Sequence, residues 1–462
     1  MRTHYSKHVT PEMAGEKVTL CGWAHESRDM GKINFLILRD REGFIQVLGK
    51  KGETHEEMLS AISSISRESV VKVTGIVKAS KMAPGGVEIL PESIEVISKA
   101  ESPLPLDVTG KVPAELDTRL NSRFMDLRKP EISAIFRIKD KILTAGREYF
   151  ENKSNNNEFI EIHSPKIIAS ASEGGTELFP IAYFDKEAFL AQSPQLYKQM
   201  MMATGFDRVY EVTNYFRAEE HDTFRHLNEV TAFDSEQAFI NDENEVMATV
   251  QGVVSAMLNC ASKCEDELGI VNDYYKKRKI KDISGQIKEL VVNPVTGNFR
   301  KITYDDALDM LAMNDKKLVW GEDLDTESEK LLGKIVKEKF KEELYFITKY
   351  PLKIKPFYTM PGEGLDDECG ENSYSRAFDL EYKGVEVSSG GQRIHDYELL
   401  VKRLKYHNLD PANFDSYLNA FKYGMPPHGG FGLGIDRVLM QLFEVNVREV
   451  VLFPRDRHRL TP

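Results

Sequence analysis

Over its first hundred residues the chain alternates apolar and polar positions in short bursts. Val18-Thr19-Leu20, Asn34-Phe35-Leu36-Ile37-Leu38 and Phe44-Ile45-Gln46-Val47-Leu48 read as strands, as do Ser69-Val70-Val71-Lys72-Val73 and Val87-Glu88-Ile89-Leu90. Arg41-Glu42-Gly43 between the second and third is a hairpin signal. Five strands, with a helical Glu56–Ile65 between the third and fourth, predict an OB-type β-barrel over residues 1–103. Barrels of this kind bind single-stranded nucleic acid on one face.

The pattern then changes. Residues 104–130, which include Pro105 and Pro113, read as a linker or hinge. Pro130 opens a helix whose apolar positions Ile132, Ile135, Phe136, Ile142, Leu143, Tyr149 and Phe150 keep helical spacing. The polar break Ser154-Asn155-Asn156-Asn157 precedes a strand, Phe159–Ile162, that Pro165 stops. Beyond it strands and helices mix, so residues 131–462 are expected to form a second, α+β domain. Residues 265–340 are richer in charge and read as an inserted helical region.

Composition narrows the class. The chain has 462 residues, 41% hydrophobic and 29% charged, the balance of a globular protein with more than one domain. No apolar run has the length of a membrane span, and MRTHYSKHVT lacks a secretion signal, so a cytoplasmic location away from membranes is expected. Four scattered cysteines make no disulfide scaffold, and Cys260 and Cys264 read as small buried hydrophobes. A net charge of −12 argues against indiscriminate coating of nucleic acid but leaves a specific nucleic-acid partner open.

Four segments carry candidate chemistry. Tyr215 through Glu229 reads as a hairpin with a charged loop (Arg217, Glu219, Arg225, His226) suited to an anionic ligand such as a nucleotide. A solvated hairpin tip with incidental ion pairs fits these residues equally well. Gly429 through Arg437 is a glycine strand entering a helix, where Gly434 lets a ligand approach the backbone and Arg437 reaches a phosphate. It is neither a Walker loop nor a dinucleotide fingerprint. Asp379 through Arg393 reads as a strand, a Lys-Gly turn and a strand, with Asp379, Glu386 and Ser389 as hard oxygen ligands of the kind Mg²⁺ accepts. An edge hairpin with solvent-facing acids is the plain alternative. In Gln192 through Gln199, Pro194 starts a helix that places Lys198 near Gln195.

Together and in this order, the segments resemble a class II aminoacyl-tRNA synthetase over the whole chain. Phe159–Pro165 and the helix before it look like the dimer-forming first motif, Arg217–Glu229 like the second and Gly432–Arg437 like the third. Within that family the resemblance is to the aspartate-activating branch of archaeal/eukaryotic type. It implies an enzyme with an anticodon-binding barrel, a homodimer, and ATP, L-aspartate, Mg²⁺ and tRNA as ligands. Arg217 and Arg437 would then be catalytic, on the α- and γ-phosphate ends of a bent ATP. Glu219, Arg225, His226, Glu386 and Gly434 would complete the nucleotide site, with Phe233 stacking on adenine. Glu386 and Ser389, and more weakly Asp379, would hold the metal ion.

Amino-acid choice is implied by Gln195-Leu-Tyr-Lys198-Gln, because the asparagine enzymes lack this lysine. Lys198 and Arg393 would clamp the substrate's side-chain carboxylate, with Gln195, Arg217 and Ser389 nearby and Glu173 receiving its ammonium. In the barrel, Arg28, Phe35 and Gln46 match anticodon-binding positions. Relatives restricted to tRNA-Asp tend to carry tryptophan in the place of His25 and lysine in that of Pro84. The chain departs from both, which implies charging of tRNA-Asn as well and an amidotransferase downstream. The rivals are a strictly discriminating aspartate enzyme, an asparaginyl-tRNA synthetase, an amidating relative and a catalytically inactive RNA-binding paralogue.

Overall fold

The computed structural model describes every residue except 154–157, 170–177, 219–222, 283–284 and 363–371. The chain divides into two compact units, Met1–Ser133 and Ala134–Pro462.

In the first unit β1 (Lys17–Asp29), β2 (Ile33–Arg39), β3 (Phe44–Lys50), β4 (Val70–Ala79) and β5 (Val87–Ser98) close into a barrel of order β1-β2-β3-β5-β4. Alternate residues point inward, so Val18, Leu20, Leu36, Leu38, Ile45, Val47, Val71, Val73 and Ile89 form its core. Helix α1 (Glu56–Ser64) adds Ile62 to that core. The stretch expected as a linker has structure of its own. Leu106, Val108 and Met125 bury together beside α2 (Leu116–Asn121) and α3 (Arg123–Asp126). The buried Asp126 carboxylate accepts from Arg119, Arg123 and Lys129. Its prolines made the segment read as a linker, although three of its cations converge on one buried carboxylate.

Helix α4 (Pro130–Glu151) is followed by β6 (Ile160–Glu161), β7 (Ile167–Ile168), β8 (Pro180–Tyr183), β9 (Lys186–Leu190), α5 (Gln195–Met201), β10 (Arg208–Phe216) and β11 (Glu229–Ala238). Next come α6 (Glu243–Ser262), α7 (Glu265–Arg278), β12 (Arg300–Thr303), α8 (Tyr304–Ala312), α9 (Thr326–Phe340) and β13 (Leu344–Thr348). β14 (Ala377–Tyr382), β15 (Glu386–Arg393), α10 (Tyr397–Tyr406), α11 (Asp415–Lys422), β16 (His428–Gly434) and α12 (Ile435–Phe443) complete the unit.

The second unit is built on an eight-stranded sheet of order β12-β13-β14-β15-β16-β11-β10-β6, with a small sheet β7-β9-β8 beside it. The middle of the large sheet is antiparallel, and a parallel pair closes each edge. Residues 265–340 supply the helices α7, α8 and α9, and also the edge strand β12, so this region extends the sheet as well as decorating it. One face of the sheet packs on helices. There Phe150 of α4 stacks on Tyr210 with centroids 4.7 Å apart, and Phe233, Val250, Leu439 and Phe431 fill the surrounding core. The other face carries polar and charged residues at the alternate positions.

Candidate active site

A cavity of about 330 Å³ opens on that second face, within the size range of small-molecule sites. Gln195, Arg217, Arg225, His226, Glu386, Ser389, Arg393, Gly434 and Arg437 all line it. Residues spread over more than two hundred positions of sequence therefore meet in one place.

Each comes from an element that fixes it. The β10–β11 ladder runs to Phe216↔Glu229 and is prolonged by Arg217, whose N–H donates to Asn228 O at 2.9 Å. Asn228 Nδ2 donates back to Arg217 O at 2.7 Å, so Arg217 stands at the hairpin's closed end with its guanidinium 5.2 Å from the Tyr215 ring centroid. His226 Nδ1 and Thr223 Oγ1 share a hydrogen bond of 2.6 Å. Arg437 lies in the first turn of α12, and its Nη1 donates to Glu386 O at 3.0 Å. The neighbouring Asp436 locks that turn, accepting from Lys139 Nζ at 2.7 Å and from Thr231 N at 2.9 Å.

Opposite the arginines the charges are buried. Lys198 Nζ donates to Asp234 Oδ1 and to Phe431 O, both at 2.8 Å, and lies 3.7 Å from Glu236 Oε2. Arg393 Nε donates to Glu236 Oε1 at 3.0 Å, and its Nη2 to Gly430 O at 2.7 Å. The glycine strand makes room for this set: a Cβ on Gly430 would lie 2.1 Å from Glu236 Oε2. Lys198 itself does not line the cavity but sits behind Asp234, which does. Lys198 and Arg393, expected to clamp a substrate carboxylate, both reach Glu236, and each cation already holds a carboxylate of the chain itself. Asp234 and Glu236 went unnoticed in the sequence. Their signal was two acids two residues apart in a strand, hence on one face of it.

One expectation is overturned. Phe233 does not stack on adenine, because it is fully buried on the helix-packed face of β11, against Gly146 and Phe150. Its neighbour Asp234 faces the cavity, and a strand's side chains alternate between faces. Leu227 and Val230 supply apolar lining to the cavity.

Asp379 lies across the β14–β15 ladder from Ser389 but is not part of the cavity wall. Its Oδ2 accepts from Lys355 Nζ at 2.7 Å, and its Oδ1 is buried without a hydrogen-bond partner. Glu386 and Ser389 do line the cavity, so this hairpin presents a carboxylate, a hydroxyl and a spare buried oxygen, a donor set that fits Mg²⁺. Behind it Glu381 is fully buried, and burial pushes its carboxyl well above the usual carboxylate range. Lys355, Tyr358 and Asp234 are lining residues that the sequence did not announce. Glu173 and Glu219 lie outside the described residues.

In the barrel, Arg28 and Phe35 face each other across β1 and β2, and Gln46 opposes Ile37 on β3, two residues along from Phe35. Phe35 is half-buried and lies outside the barrel's core. Three neighbouring strands therefore offer a ring, a guanidinium and an amide on one outer face. His25 is the extra residue of a bulge in β1, between the pairs Ala24↔Leu38 and Glu26↔Ile37. Its Nδ1 lies 3.2 Å from Arg39 Nη1 and 3.4 Å from Glu68 Oε1, and its ring meets Phe44 edge-on. Arg39 and Arg128 also bond Glu68, whose carboxyl is held down at about 2 against the cost of burial. Pro84 is exposed between β4 and β5.

A barrel with an outward polar face and an antiparallel sheet presenting arginines and hard oxygens in one cavity define a class II synthetase architecture. The family model for tRNA synthetases class II (D, K and N) matches residues 115–457, and that for the OB-fold nucleic acid binding domain matches residues 18–97. The chain belongs to the class II tRNA synthetases. It is 50% identical over 463 residues, covering all of both chains, to the aspartate–tRNA(Asp) ligase of Pyrococcus horikoshii. It is equally 50% identical to the aspartate–tRNA(Asp/Asn) ligase of Methanocaldococcus jannaschii, covering all of this chain and 98% of the other. Among solved structures, a putative aspartyl-tRNA synthetase from Leishmania major superposes with TM-score 0.87 at 32% identity, covering 100% and 95% of the two chains. Asparaginyl-tRNA synthetase of Pyrococcus horikoshii, complexed with asparaginyl-adenylate, gives TM-score 0.85 at 32% identity and 99% coverage of each.

Proposed function

We propose that the protein is an aspartate–tRNA ligase that charges tRNA-Asp and also tRNA-Asn. The observation that carries the amino-acid reading is the buried pair Lys198 and Arg393 at one end of a cavity whose other end holds Arg217 and Arg437.

In the first half-reaction the α-carboxylate of aspartate attacks the α-phosphorus of ATP in line. The bond to pyrophosphate breaks, and aspartyl-adenylate forms. Arg217 neutralises charge developing at the α-phosphate, and Arg437 holds the far end of the triphosphate. The protein supplies alignment and fixed positive charge, the usual tools of phosphoryl chemistry. Glu386 and Ser389, with Asp379 behind them, would hold Mg²⁺, which supplies charge neutralisation to the phosphates. In the second half-reaction a hydroxyl of the terminal adenosine of tRNA attacks the aspartyl carbonyl, and AMP leaves.

Selectivity against asparagine follows from donor geometry. Arg393 lines the cavity and offers only N–H groups, so an asparagine amide would turn its own donors toward it, while Lys198 acts from behind by holding Asp234 in place. Arg28, Phe35 and Gln46 suit an anticodon whose unpaired bases stack and hydrogen-bond. The relaxed tRNA choice rests on His25 and Pro84, which stand where discriminating relatives tend to differ. This reading carries with it a homodimer formed around α4, a cytoplasmic location and a downstream amidotransferase acting on Asp-tRNA-Asn.

The test is aminoacylation by the purified protein with ATP, Mg²⁺ and either labelled aspartate or asparagine, on tRNA-Asp and tRNA-Asn transcripts separately. Aspartate joined to both transcripts is the expected result. Aspartate joined to tRNA-Asp alone would discard the reading of His25 and Pro84. Asparagine as the amino acid used would overturn the reading of Lys198.

A further inference from the structure

Behind the proposed triphosphate end of the cavity, in contact with its lining residue Arg225, stands a helix to which the sequence assigned no chemistry. α9 starts from the N-cap Asp325, whose side chain accepts from Ser328 N at 2.7 Å. Glu329, in its first turn, is only 7% exposed, and its carboxylate is ion-paired to Arg225 Nη1. Arg225 lines the cavity, and its Nε is buried without a hydrogen-bond partner, so donor capacity remains on the same guanidinium.

The helix is pinned where it stands. A Cβ on Gly333 would lie 2.5 Å from Gly384 Cα, in the turn that leads into Glu386. Gly384 has φ +72°, and a Cβ there would meet Glu329 O at 2.8 Å. Backbone touches backbone, so α9 delivers Glu329 to a place set by the β14–β15 hairpin. Burial pushes the Glu329 carboxyl up to about 7, with Glu386 adding to the rise while Arg225 and Arg437 oppose it. A buried acid of this kind is costly for folding, since desolvation offsets much of what an ion pair returns. Stability gives it little reason to be there, whereas orientation of Arg225 gives it one.

We propose that Glu329 is the positioning residue for Arg225, holding its guanidinium against the cavity wall so that the remaining donors receive the polyphosphate of ATP. The assignment rests on the reading of this cavity as an ATP site. It gives the region at 265–340 a part in nucleotide binding, although Glu329 touches no reacting atom. A planar guanidinium bonded on one side loses less freedom when it binds phosphate on another, which is the physical gain.

The experiment compares wild type, Glu329→Ala, Glu329→Gln, Arg225→Ala and the Glu329→Ala/Arg225→Ala double variant, all as the full chain. ATP affinity is measured by equilibrium dialysis, and the two Michaelis constants by aspartate-dependent ATP–pyrophosphate exchange. Glu329→Ala is expected to weaken ATP binding and raise KM for ATP by roughly tenfold, the worth of one charge-assisted hydrogen bond, with KM for aspartate unchanged. Glu329→Gln keeps an acceptor oxygen at the same place and restores most of the loss. The double variant binds ATP no worse than Arg225→Ala alone, because the two residues act as one unit. Unchanged ATP affinity in Glu329→Ala overturns the proposal, as does an equal rise in both Michaelis constants with a lowered Tm and no rescue by glutamine. Exchange that does not depend on aspartate would sink the amino-acid reading instead, and dialysis would still decide this one.

Discussion

The two ends of the cavity handle charge in different ways. At the proposed amino-acid end Lys198 and Arg393 face Asp234 and Glu236, two cations against two carboxylates, and none of these side chains is more than 6% exposed. At the proposed triphosphate end the Arg437 side chain is 26% exposed and that of Glu386 35%. There Asp379, Glu381, Glu386 and Glu329 gather around the β14–β15 hairpin among Arg217, Arg225, Lys355 and Arg437, and burial raises the carboxyls of Glu381 and Glu329. A matched, buried set is fixed before any ligand arrives and reads a small substrate by its donors and acceptors. An end with accessible arginines and carboxyls raised by burial suits a ligand that brings its own anionic oxygens and a divalent cation.

Breaking the matched end gives the largest effect. Lys198→Met leaves Asp234 and part of Glu236 buried without their cation, a loss of about 3–5 kcal/mol when one partner of a buried pair is removed. The expected outcome is a fall of roughly a thousandfold or more in kcat/KM for aspartate, with KM for ATP little changed, read by pyrophosphate exchange. An equal rise in both Michaelis constants would show that the two ends are not separable.

The barrel provides a second matched cluster with which to sharpen the comparison. The Glu68 carboxyl sits at about 2 in the folded chain, from an ordinary 4.5, because His25, Arg39 and Arg128 outweigh the cost of burial. A depressed carboxyl adds stability above its unfolded pKa and loses it as pH falls from about 4.5 toward 2. Allowing for solvent screening, the contribution is roughly 1–3 kcal/mol. Acid unfolding followed by tryptophan fluorescence should report it through Trp23, which lies between Arg39 and Arg128. In Glu68→Gln the stability is expected to be lower at pH 7 and flatter between pH 5 and 3. An unaltered acid limb in that variant would place the pH dependence elsewhere.

The smallest effect belongs to the open end. Glu386→Gln removes one hard oxygen charge while Ser389 and Asp379 remain, so the Mg²⁺ concentration giving half-maximal exchange should rise by about 10- to 100-fold. Aspartate affinity should stay put, and a magnesium titration at saturating ATP checks both. A rise in KM for aspartate of the same size would remove the distinction drawn between the two ends.

Much of this was legible in the chain. The alternation of Val18, Leu20, Leu36 and Leu38 marks barrel strands because a strand's two faces see different surroundings. The order of the Arg217, Glu386 and Arg437 segments reveals the family because each requires a local geometry that few residues satisfy: a hairpin end, a ladder pair, a glycine strand entering a helix. Phe233 was misread for the opposite reason. Its residue type suits both a core and an adenine, and only pairing in the sheet decides which face of β11 it occupies.

What the sequence alone determined, then, is the class of elements and the family, both of them consequences of local pattern. What only the tertiary structure decided is how buried charges are shared. Lys198 and Asp234 are 36 residues apart, Arg393 and Glu236 are 157 apart, and Arg225 and Glu329 are 104 apart. No local rule links such positions. They meet because desolvated charges must find partners, and the sheet register and the seat of α9 on Gly384 settle which partners are within reach.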